Sequence, residues 1–477
     1  MKTFKLFSAL IFFFCLFSAI QSENAHTHPM QTESDSTHVD AKKIYYQYCA
    51  GCHGTDVRAF ISPGWKYGTD KESITKSIKN GRGNGAMPAF ANGLSNEQVD
   101  QLTAYLQWGF QNFDKYNFDD QKFSYETFKS GDFKFTLEKV VDGLEIPWGM
   151  AFLPDGSMLI TEKKGNLIHL TGDGNKINIR NVPEVISRGQ GGMLDVELHP
   201  DYPDNGWIYL SYSAFRNDKE EILSTTAVSR YRLKNNELVD EELIFEAKDY
   251  TNKRHHYGCR LEFDREGFLY ISMGDRGSRD INPQDLGRYP GKIHRIKDDG
   301  TIPEDNPFYG RKDAVQSIFT YGHRNTQGMV LHPQTDEMWT HEHGPRGGDE
   351  INILKAGANY GWPVVSYGIN YDGTVFTNLT EKEGMENPLH YWVPSIAPCG
   401  MDFVTSNRYP SWKGHLLVGS LRFSYLNLCY LKDGKVSKEE ILLKNIGRLR
   451  NVKESPDGYI YIAVEGPGRI YKLVPAE

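Results

Sequence analysis

The chain has 477 residues, of which 39% are hydrophobic and 24% charged, and its net charge is −8. This balance is typical of a globular protein of two or three domains and excludes an intrinsically disordered chain. The acidic net charge and the lack of a Lys/Arg run also exclude nucleic acid as an expected partner. The 46 glycines indicate many turns, and therefore short strands more than long helices.

Residues 1–22 predict a secretory signal peptide. Lys2 and Lys5 precede an apolar stretch over residues 6–20, after which small and polar residues follow. About 15 apolar residues are fewer than the roughly 20 that span a bilayer, so an uncleaved membrane anchor is the less favoured alternative. Residues 23–39 are polar and are expected to form a linker. The mature protein is therefore expected to be periplasmic or secreted.

Residues 40–110 predict a domain that carries haem c. Cys49, Cys52 and His53 form a C-x-x-C-H motif, in which two thiols attach the haem vinyl groups and the imidazole binds the iron. Met87, in a Gly-rich loop, supplies the second axial ligand, and His/Met ligation suits electron transfer. A redox-active cysteine pair or half of a zinc site is the alternative interpretation of the two cysteines.

The segment after the Met87 loop predicts a closing helix. Ser95 and Gln98 have the spacing of a capping box, and Val99, Leu102 and Leu106 recur at helical spacing. The attachment motif, the methionine loop and this helix occur in the order of a small class I cytochrome c, which the segment resembles. Haem attachment of this kind takes place outside the cytoplasm, in agreement with a signal peptide.

Residues 111–132 are expected to form a linker, and residues 133–477 an all-β domain. Six units recur, each with an Asp, Asn or Gly turn followed by a strand of period two. They begin at Phe152, Leu198, Phe263, Leu331, Tyr409 and Ser455. A closed ring of four-stranded blades removes exposed sheet edges. We therefore predict a six-bladed β-propeller, with five or seven blades as alternatives, in which a strand at 133–141 completes the last blade.

Polar, Gly-rich loops separate these strands, over residues 187–202, 255–263, 274–277, 321–329, 342–363, 394–401, 419–423 and 447–452. Together they make the chain from about residue 135 to 475 similar to the quinoprotein family of aldose sugar dehydrogenases, relatives of soluble glucose dehydrogenase and sorbosone dehydrogenase. The resemblance implies a six-bladed propeller that holds pyrroloquinoline quinone (PQQ) and calcium.

The resemblance also implies a set of cofactor contacts. PQQ carries three carboxylates, which arginine binds with paired hydrogen bonds. Arg448 and Arg450 flank Leu449, so on a strand both arginines lie on one face. Taken alone, such arginines are more often surface ion-pair partners. The residues implied to contact PQQ are Gln190, Arg324, Asn325, Tyr371, Ser420, Leu421, Arg422, Arg448, Leu449 and Arg450.

His256 is the candidate catalytic base, because a neutral imidazole can take the proton of an anomeric hydroxyl. The family pattern implies that Asp275 orients this base and that Arg324 stabilises charge on the reduced quinone. A structural histidine is the alternative role of His256. His255 stands where soluble glucose dehydrogenase has an acid, which leaves the sugar preference open.

Two calcium sites are implied on the segment "EHGPRGGDEINILKAGANYGWP". Calcium takes six to eight oxygen ligands, including backbone carbonyls. Gly344 and Pro345 resemble the residues whose carbonyls hold the cofactor's calcium. Glu350 and the Tyr360 carbonyl resemble a further, structural site, and Asp349 supports either site or serves as a turn residue.

The expected activity is the oxidation of aldose sugars at the anomeric carbon to lactones, with PQQ, Ca²⁺ and haem c as cofactors. Electrons are expected to pass from PQQ to the fused haem, and then to a downstream cytochrome or terminal oxidase. Oxidation of another aldehyde or hemiacetal such as sorbosone is one alternative, and a non-enzymatic extracellular binding propeller with a haem sensor is another. A monomer or homodimer is expected. A disulfide among Cys259, Cys399 and Cys429 stays open.

Overall fold

A computed structural model describes residues 39–49, 68, 70–82, 87–111, 127–219, 221–371, 374–466 and 468–476. The chain from Asp40 onward forms one compact unit. The predicted signal peptide and the haem residues Cys52 and His53 lie outside the described residues. Within the described ranges, no helix has the length and apolar character needed to cross a membrane.

Three helices form the described part of the N-terminal domain: α1 Val39–Tyr48, α2 Lys71–Asn80 and α3 Asn96–Gln111. The predicted capping box at the start of α3 is confirmed. The backbone N–H of Ser95 donates to Oε1 of Gln98 over 2.9 Å, and the N–H of Gln98 donates to Oγ of Ser95 over 3.1 Å. Each side chain thus satisfies an N–H group that has no partner within the helix. The apolar faces enclose one core, which contains Ile44, Tyr45, Ile74, Ile78, Val99, Leu102 and Leu106.

The loop that carries Met87 is fastened to α2. Arg82 and Met87 exchange two backbone hydrogen bonds of 3.0 Å, and the N–H of Phe90 donates to the carbonyl of Ile78. Gly81 has a φ of 67°, and a Cβ there would collide with the carbonyl oxygen of Met87. Only glycine combines this backbone conformation with so close an approach. The predicted iron ligand therefore stands on a loop that is held at both ends.

The remaining chain is built from strands, with one short helix, α4 Tyr202–Asn205, among them. The strands are β1 Phe128–Ser130, β2 Phe133–Val141, β3 Pro147–Phe152, β4 Met158–Glu162, β5 Asn166–Leu170, β6 Lys176–Asn178, β7 Met193–Leu198, β8 Trp207–Asp218, β9 Glu221–Lys234, β10 Glu237–Glu246, β11 Leu261–Phe263, β12 Phe268–Met273, β13 Lys292–Lys297, β14 Ile318–Tyr321, β15 Thr326–Leu331, β16 Met338–Glu342, β17 Asp349–Ile353, β18 His390–Trp392, β19 Pro398–Phe403, β20 Leu416–Ser420, β21 Tyr425–Lys432, β22 Lys435–Lys444, β23 Arg448–Glu454, β24 Ile460–Glu465 and β25 Arg469–Ala476.

In the described part of the chain, these strands form six antiparallel sheets, so the predicted six-bladed propeller is confirmed. Five sheets contain four consecutive strands each, and the sixth has the order β1-β2-β25-β24-β23. The first strands of successive blades contact one another in chain order, and β23 contacts β3. The predicted pairing of the strand at 133–141 with the last blade is also confirmed, because Lys134 lies opposite Ala476 in the ladder. The N-terminal strand thereby joins the two ends of the ring.

The blade geometry decides where the polar loops lie. Within a blade the first and second strands are antiparallel, as β11 and β12 are. The start of a first strand and the end of a second strand therefore meet at the same end of the ring. Apart from Glu350 on β17 and Tyr360 and Tyr371 after β17, the predicted site residues of the propeller lie near the start of a first strand or the end of a second strand. They are thus gathered at one face of the propeller from five separate blades.

Candidate active site

Two neighbouring cavities open at this face. We call the cavity of about 300 Å³ the inner cavity and the cavity of about 470 Å³ the outer cavity. Gln190, His256, Arg324, Pro345 and Tyr371 line both of them. The inner cavity is also lined by the predicted residues Asn325, Gly344, Leu421, Arg422, Arg448 and Arg450, and the outer cavity by Asp275. The fold therefore brings most of the predicted site residues to one place.

His256 and Asp275 form a hydrogen-bonded pair between the two cavities. Nδ1 of His256 lies 2.6 Å from Oδ1 of Asp275. The same Oδ1 accepts the backbone N–H of Gly277 over 2.6 Å, and Oδ2 accepts the indole N–H of Trp362 over 2.8 Å. The carboxylate thus has three donors, and Nε2 is the ring nitrogen that His256 retains for a ligand.

The surroundings set the protonation of this pair. Burial, reinforced by the guanidinium of Arg324, lowers the pKa of His256 below its ordinary value. Burial opposes ionisation of Asp275, but the hydrogen bond and charge of His256 outweigh it and lower the pKa of Asp275 to about 2. At neutral pH the imidazole is consequently uncharged beside an ionised carboxylate. A neutral imidazole with one engaged nitrogen is suited to accept a proton at the other.

The backbone of His256 adopts a conformation that few residues other than glycine adopt. Its φ is 54°, in the left-handed region, which is strained for a residue with a Cβ. The side-chain oxygen of Gln190 accepts the backbone N–H of His256 over 2.7 Å. Gly274 packs so closely beneath this turn that a Cβ would collide with the carbonyl oxygen of His256. Gln190 and Gly274 therefore hold the imidazole in place.

Arg324 is fixed by groups on the neighbouring strand. Its backbone N–H donates to Oε2 of Glu342 over 2.5 Å, and Nη1 donates to the carbonyl of His343 over 3.0 Å. Its Cζ lies 5.3 Å from the ring centroid of Trp362. Glu342 also accepts a hydrogen bond from His323. The guanidinium is therefore directed along the boundary of the two cavities.

Arg448 and Arg450 are both bound by Glu465, at the end of β24. Nε of Arg448 lies 2.7 Å from Oε1 of Glu465, and Nη2 of Arg450 lies 2.7 Å from Oε2. Burial opposes ionisation of Glu465, but the two guanidinium groups outweigh it and lower the pKa to about 2. Sequence reasoning predicted that the two arginines share a face, but it missed Glu465. It also missed Lys163, whose Nζ donates to the carbonyl of Gly189 over 2.6 Å in the wall of the same cavity.

Arg422 and the predicted cofactor residues near it differ in whether their side chains reach the inner cavity. Nη1 of Arg422 donates to the carbonyl of Ser395 over 2.7 Å. The hydroxyl of Ser420 donates to the carbonyl of Ile396 over 2.7 Å, and Leu449 is fully buried in the core between the last two blades. Leu421 and Arg422 therefore contribute to the cavity wall, whereas the side chains of Ser420 and Leu449 support it from behind.

The inner cavity carries an excess of positive charge. Its described lining includes six basic residues: Lys163, Arg324, Arg346, Arg422, Arg448 and Arg450. It includes two acidic residues, Asp349 and Glu465, of which Glu465 is already paired with arginine. The surplus guanidinium groups are the preferred partners of planar carboxylates. The cavity is therefore suited to a flat molecule with several negative charges.

The Gly-rich loop between β16 and β17 folds back on itself. A Cβ at Gly344 would collide with the carbonyl oxygen of Gly348, so only glycine fits this turn. Oδ1 of Asp349 accepts the N–H of Gly344 over 2.8 Å, and Oδ2 accepts the N–H of Ala397 over 2.7 Å. Burial raises the pKa of Asp349 to about 6. Asp349 thus fastens this loop to the next blade.

The residues predicted for a structural calcium lie farther along the same blade. Glu350 lies opposite Glu342 in the ladder of β16 and β17. Burial raises the pKa of Glu350 well above its usual range, and the negative charge of Glu342 raises it further. Oδ1 of Asn352 is buried here without a hydrogen-bond partner. The ring of Tyr360 stacks on His323 at 4.7 Å. The described residues hold no group of three or more His, Cys, Asp or Glu side chains placed to bind a metal.

The question of a disulfide is decided by the described cysteines. Cys259, Cys399 and Cys429 are buried and free. Sγ of Cys399 lies 3.0 Å from the backbone carbonyl of Arg450, beneath the inner cavity. Burial raises the pKa of the Cys259 and Cys429 thiols above their usual range. These two thiols are consequently inert side chains of the core.

Comparison with known proteins identifies the class of this protein. Residues 144–472 match the family described as Glucose / Sorbosone dehydrogenase, and residues 37–106 match the family described as Cytochrome C oxidase, cbb3-type, subunit III. The chain therefore belongs to the glucose/sorbosone dehydrogenase family and carries an N-terminal cytochrome c domain. The predicted enzyme class, a quinoprotein sugar dehydrogenase, is confirmed.

Individual relatives agree with this family. The chain is 39% identical over 347 residues to the aldose sugar dehydrogenase YliI of Escherichia coli, covering 71% of this chain and 92% of that protein. It is 29% identical over 271 residues to quinoprotein glucose dehydrogenase B of Acinetobacter calcoaceticus, covering 52% and 56%. The crystal structure of the apo-form aldose sugar dehydrogenase from Escherichia coli superposes with a TM-score of 0.68 at 37% identity, covering 72% of this chain and all of that one.

Proposed function

We propose that this protein oxidises aldose sugars at the anomeric carbon to lactones, with PQQ in the inner cavity and the sugar in the outer cavity. The observation that carries this proposal is the position of His256, which lines both cavities and is bound to Asp275. A base at the boundary can reach a substrate on one side while a cofactor occupies the other. The related proteins named as aldose sugar and quinoprotein glucose dehydrogenases support the same assignment.

The residues of the inner cavity fit PQQ. Arg422, Arg448, Arg450 and Lys163 would bind its carboxylates, and Arg324 would lie beside a quinone oxygen. PQQ, when bound, supplies a two-electron acceptor for the hydride of the sugar. Asn325, Gln190 and Tyr371 complete the proposed cofactor contacts, together with the walls formed by Ser420, Leu421 and Leu449.

Calcium fits two places on the Gly-rich segment. The carbonyls of Gly344 and Pro345 would bind the cofactor's calcium, which acts as a Lewis acid. Glu350 and the carbonyl of Tyr360 would bind a structural calcium. The buried amide oxygen of Asn352, which has no hydrogen-bond partner, and the two facing carboxylates of Glu342 and Glu350 are groups that a hard cation would satisfy.

The chain's own residues carry the proton chemistry. Nε2 of His256 takes the proton of the anomeric hydroxyl as the hydride leaves the same carbon, so that the C–O single bond becomes the carbonyl of the lactone. Asp275 stabilises the imidazolium that forms, and the donors Gly277 and Trp362 keep that carboxylate ionised. Arg324 supplies positive charge on the side where negative charge accumulates.

We further propose that the fused haem c receives the electrons. Tyr48, which directly precedes the haem residue Cys49, lines the inner cavity, and Pro88, which directly follows the iron ligand Met87, lines the outer cavity. The neighbours of one predicted haem-attachment cysteine and of the predicted iron ligand therefore line the two cavities. Haem, when bound, takes the electrons one at a time, and a downstream cytochrome or terminal oxidase accepts them. The route fits a periplasmic or secreted protein.

Reconstitution tests these assignments. Protein that holds its haem is loaded with PQQ and calcium, aldoses are added, and haem reduction is followed by its absorbance. We expect haem reduction in the wild type and its loss in His256→Ala. Haem that stays oxidised while an added dye is reduced would refute the electron route alone. Sugar oxidation unchanged by His256→Ala would refute the catalytic assignment.

A panel of aldehyde substrates tests a second candidate function, the oxidation of a hemiacetal other than an aldose. His255, beside His256 and in the wall of the outer cavity, replaces an acid of the soluble glucose dehydrogenases and favours a test of other hemiacetals such as sorbosone. A higher kcat/KM for sorbosone than for every aldose would favour this candidate. Failure of all carbonyl substrates would favour a non-enzymatic binding propeller.

A further inference from the structure

Two residues of the cytochrome domain lie in the walls of cavities that are otherwise built by the propeller. Pro88 lines the outer cavity beside His255 and His256, and Tyr48 lines the inner cavity beside Pro345 and Arg346. The other described lining residues of both cavities come from strands and loops of the propeller. The substrate cavity is therefore completed by the other domain of the same chain.

The cytochrome domain holds Pro88 and Tyr48, its two cavity-lining residues, in place. Met87, which precedes Pro88, is joined to Arg82 by two backbone hydrogen bonds, and Phe90 is joined to Ile78 of α2. The ring of Phe90 also meets the ring of Tyr48 edge to face, with centroids 6.2 Å apart. Tyr48 and Pro88 thus belong to one packed face, so a contact at Tyr48 also positions Pro88.

That contact is made to Arg346. Cζ of Arg346 lies 4.9 Å from the ring centroid of Tyr48, which is the geometry of a cation–π interaction. The backbone of Arg346 exchanges hydrogen bonds of 3.0 and 3.1 Å with Ile369, so the guanidinium projects from an ordered loop. Its neighbour Pro345 lines both cavities. The domain contact is therefore continuous with the walls of the proposed active site.

We propose that the cytochrome domain acts as a specificity element: Pro88 forms one wall of the substrate cavity, kept there by the contact between Tyr48 and Arg346, and limits the length of the sugar that reaches His256. This inference rests on the proposed function. A reducing sugar must place its anomeric carbon at His256, so further sugar units extend toward the mouth of the outer cavity. Pro88 lines that cavity and would therefore obstruct the added sugar units. A monosaccharide has no such units and is not obstructed.

Kinetics with two sugars test the length selection. The holoenzyme is assayed with a dye acceptor on glucose and on maltotriose, and the ratio of the two kcat/KM values is compared. Because a cation–π contact between half-buried groups is worth about 0.5 to 1 kcal/mol or more, we expect Tyr48→Ala and Arg346→Ala to raise the maltotriose-to-glucose ratio at least about two- to fivefold. Tyr48→Phe, which keeps the ring, should keep the wild-type ratio. An unchanged ratio in both alanine variants would overturn the proposal.

A cross-link tests the wall without any turnover. Pro88→Cys is combined with Ile281→Cys, because Ile281 lines the same cavity and is 57% exposed. PQQ-free protein is treated with a short bismaleimide, and the joined peptides are identified by mass spectrometry. The matched control combines Pro88→Cys with Leu243→Cys, which is 56% exposed on β10.

We expect the cross-link in the first pair and its absence in the control. The native thiols of Cys259, Cys399 and Cys429 do not compete for the reagent, because they are buried. Equal cross-linking yields in the two pairs would refute the placement of Pro88 in the wall of the outer cavity. If the wild type oxidises no sugar, the proposed function and the length selection fall together, while the cross-link still decides whether Pro88 borders the cavity.

Discussion

The indole nitrogen of Trp362 lies 2.8 Å from Oδ2 of Asp275, although the two residues are 87 positions apart in the chain. Asp275 follows β12, and Trp362 belongs to the segment after β17. The other oxygen of Asp275 accepts the hydrogen bond from His256. Trp362 of one blade thereby orients the proposed base of the preceding blade through Asp275.

We expect Trp362→Phe to lower kcat about tenfold or more, with a smaller change in KM. A hydrogen bond to a charged group contributes about 1.5 to 3 kcal/mol, and its loss leaves the buried carboxylate with fewer donors. Steady-state kinetics with glucose and a dye acceptor measure the effect. Trp392→Phe is the matched control, because that indole also donates to a carboxylate, Glu439, but on an outer strand. Equal losses in the two variants would contradict a positioning role.

The pH dependence of the reaction follows from the state of His256. The base must be neutral, and its pKa lies below the ordinary value of about 6.5. We therefore expect kcat/KM to rise with pH below 6.5 and to be flat from there to about pH 8. In Asp275→Asn the charge that raises the pKa of His256 is lost, so the acid limb moves to lower pH and kcat falls about 100-fold or more. An acid limb centred above pH 7 would contradict this assignment.

Binding of PQQ should depend on Arg422. Removal of its guanidinium deletes a charge-assisted hydrogen bond to a carboxylate, which corresponds to about a 10- to 100-fold weaker affinity. Titration of the PQQ-free protein with PQQ, followed by tryptophan fluorescence, measures the dissociation constant of Arg422→Ala. Arg408→Ala is the control, since Arg408 is exposed and packs on Tyr459 away from the cavities. A wild-type affinity in Arg422→Ala would exclude this residue from the cofactor site.

Calcium should stabilise the propeller through Glu350. A ligand at 100 times its dissociation constant adds about 2.7 kcal/mol to the free energy of unfolding, which corresponds to a rise of roughly 5 °C in Tm. We expect excess EGTA to lower the Tm of the wild type by about that amount, and added calcium to restore it. With EGTA and with added calcium alike, Glu350→Gln should have a lower Tm than the calcium-loaded wild type. The variant Glu383→Gln, at an exposed position, should behave like the wild type. An EGTA response in Glu350→Gln as large as that of the wild type would contradict the site, because calcium at Gly344 and Pro345 alone would leave only a smaller one.

The buried carboxyl group of Asp402, on β19, predicts that the stability of the protein depends on pH. Burial raises its pKa to about 7, above the unfolded value of about 3.9. The folded state therefore binds the proton more tightly, and stability is lost as the pH rises from about 4 to 7. Asparagine does not ionise and can still accept the N–H of Glu454.

We accordingly expect Asp402→Asn to be more stable than the wild type at pH 8, by up to about 4 kcal/mol, and the difference to vanish toward pH 4. Urea denaturation at the two pH values measures it. Asp433→Asn, in an exposed turn, serves as the control. A difference that is equal at both pH values would show that ionisation of Asp402 is not its cause.

Patterns between near neighbours were predictable from the sequence. The capping box of Ser95 and Gln98, the recurring blade strands and the pairing of 133–141 with the last blade all follow from local spacing and from the need to close the ring. Arg448 and Arg450 were correctly placed on one face, because strand geometry depends only on consecutive residues.

Only the tertiary structure decided which distant side chains meet. Glu465 binds both arginines, Trp362 donates to Asp275, and Pro88 enters a cavity of the propeller. Glu465 faces Arg448 across the ladder of β23 and β24, so the register of two neighbouring strands brings these partners together. Packing of one blade on the next joins Trp362 to Asp275, and packing of the two domains places Pro88 in the outer cavity; no local spacing relates these groups. The sequence by itself determined the kinds of chemical group and the blades that carry them, while the closed ring determined their distances, their charges and the shape of the space between them.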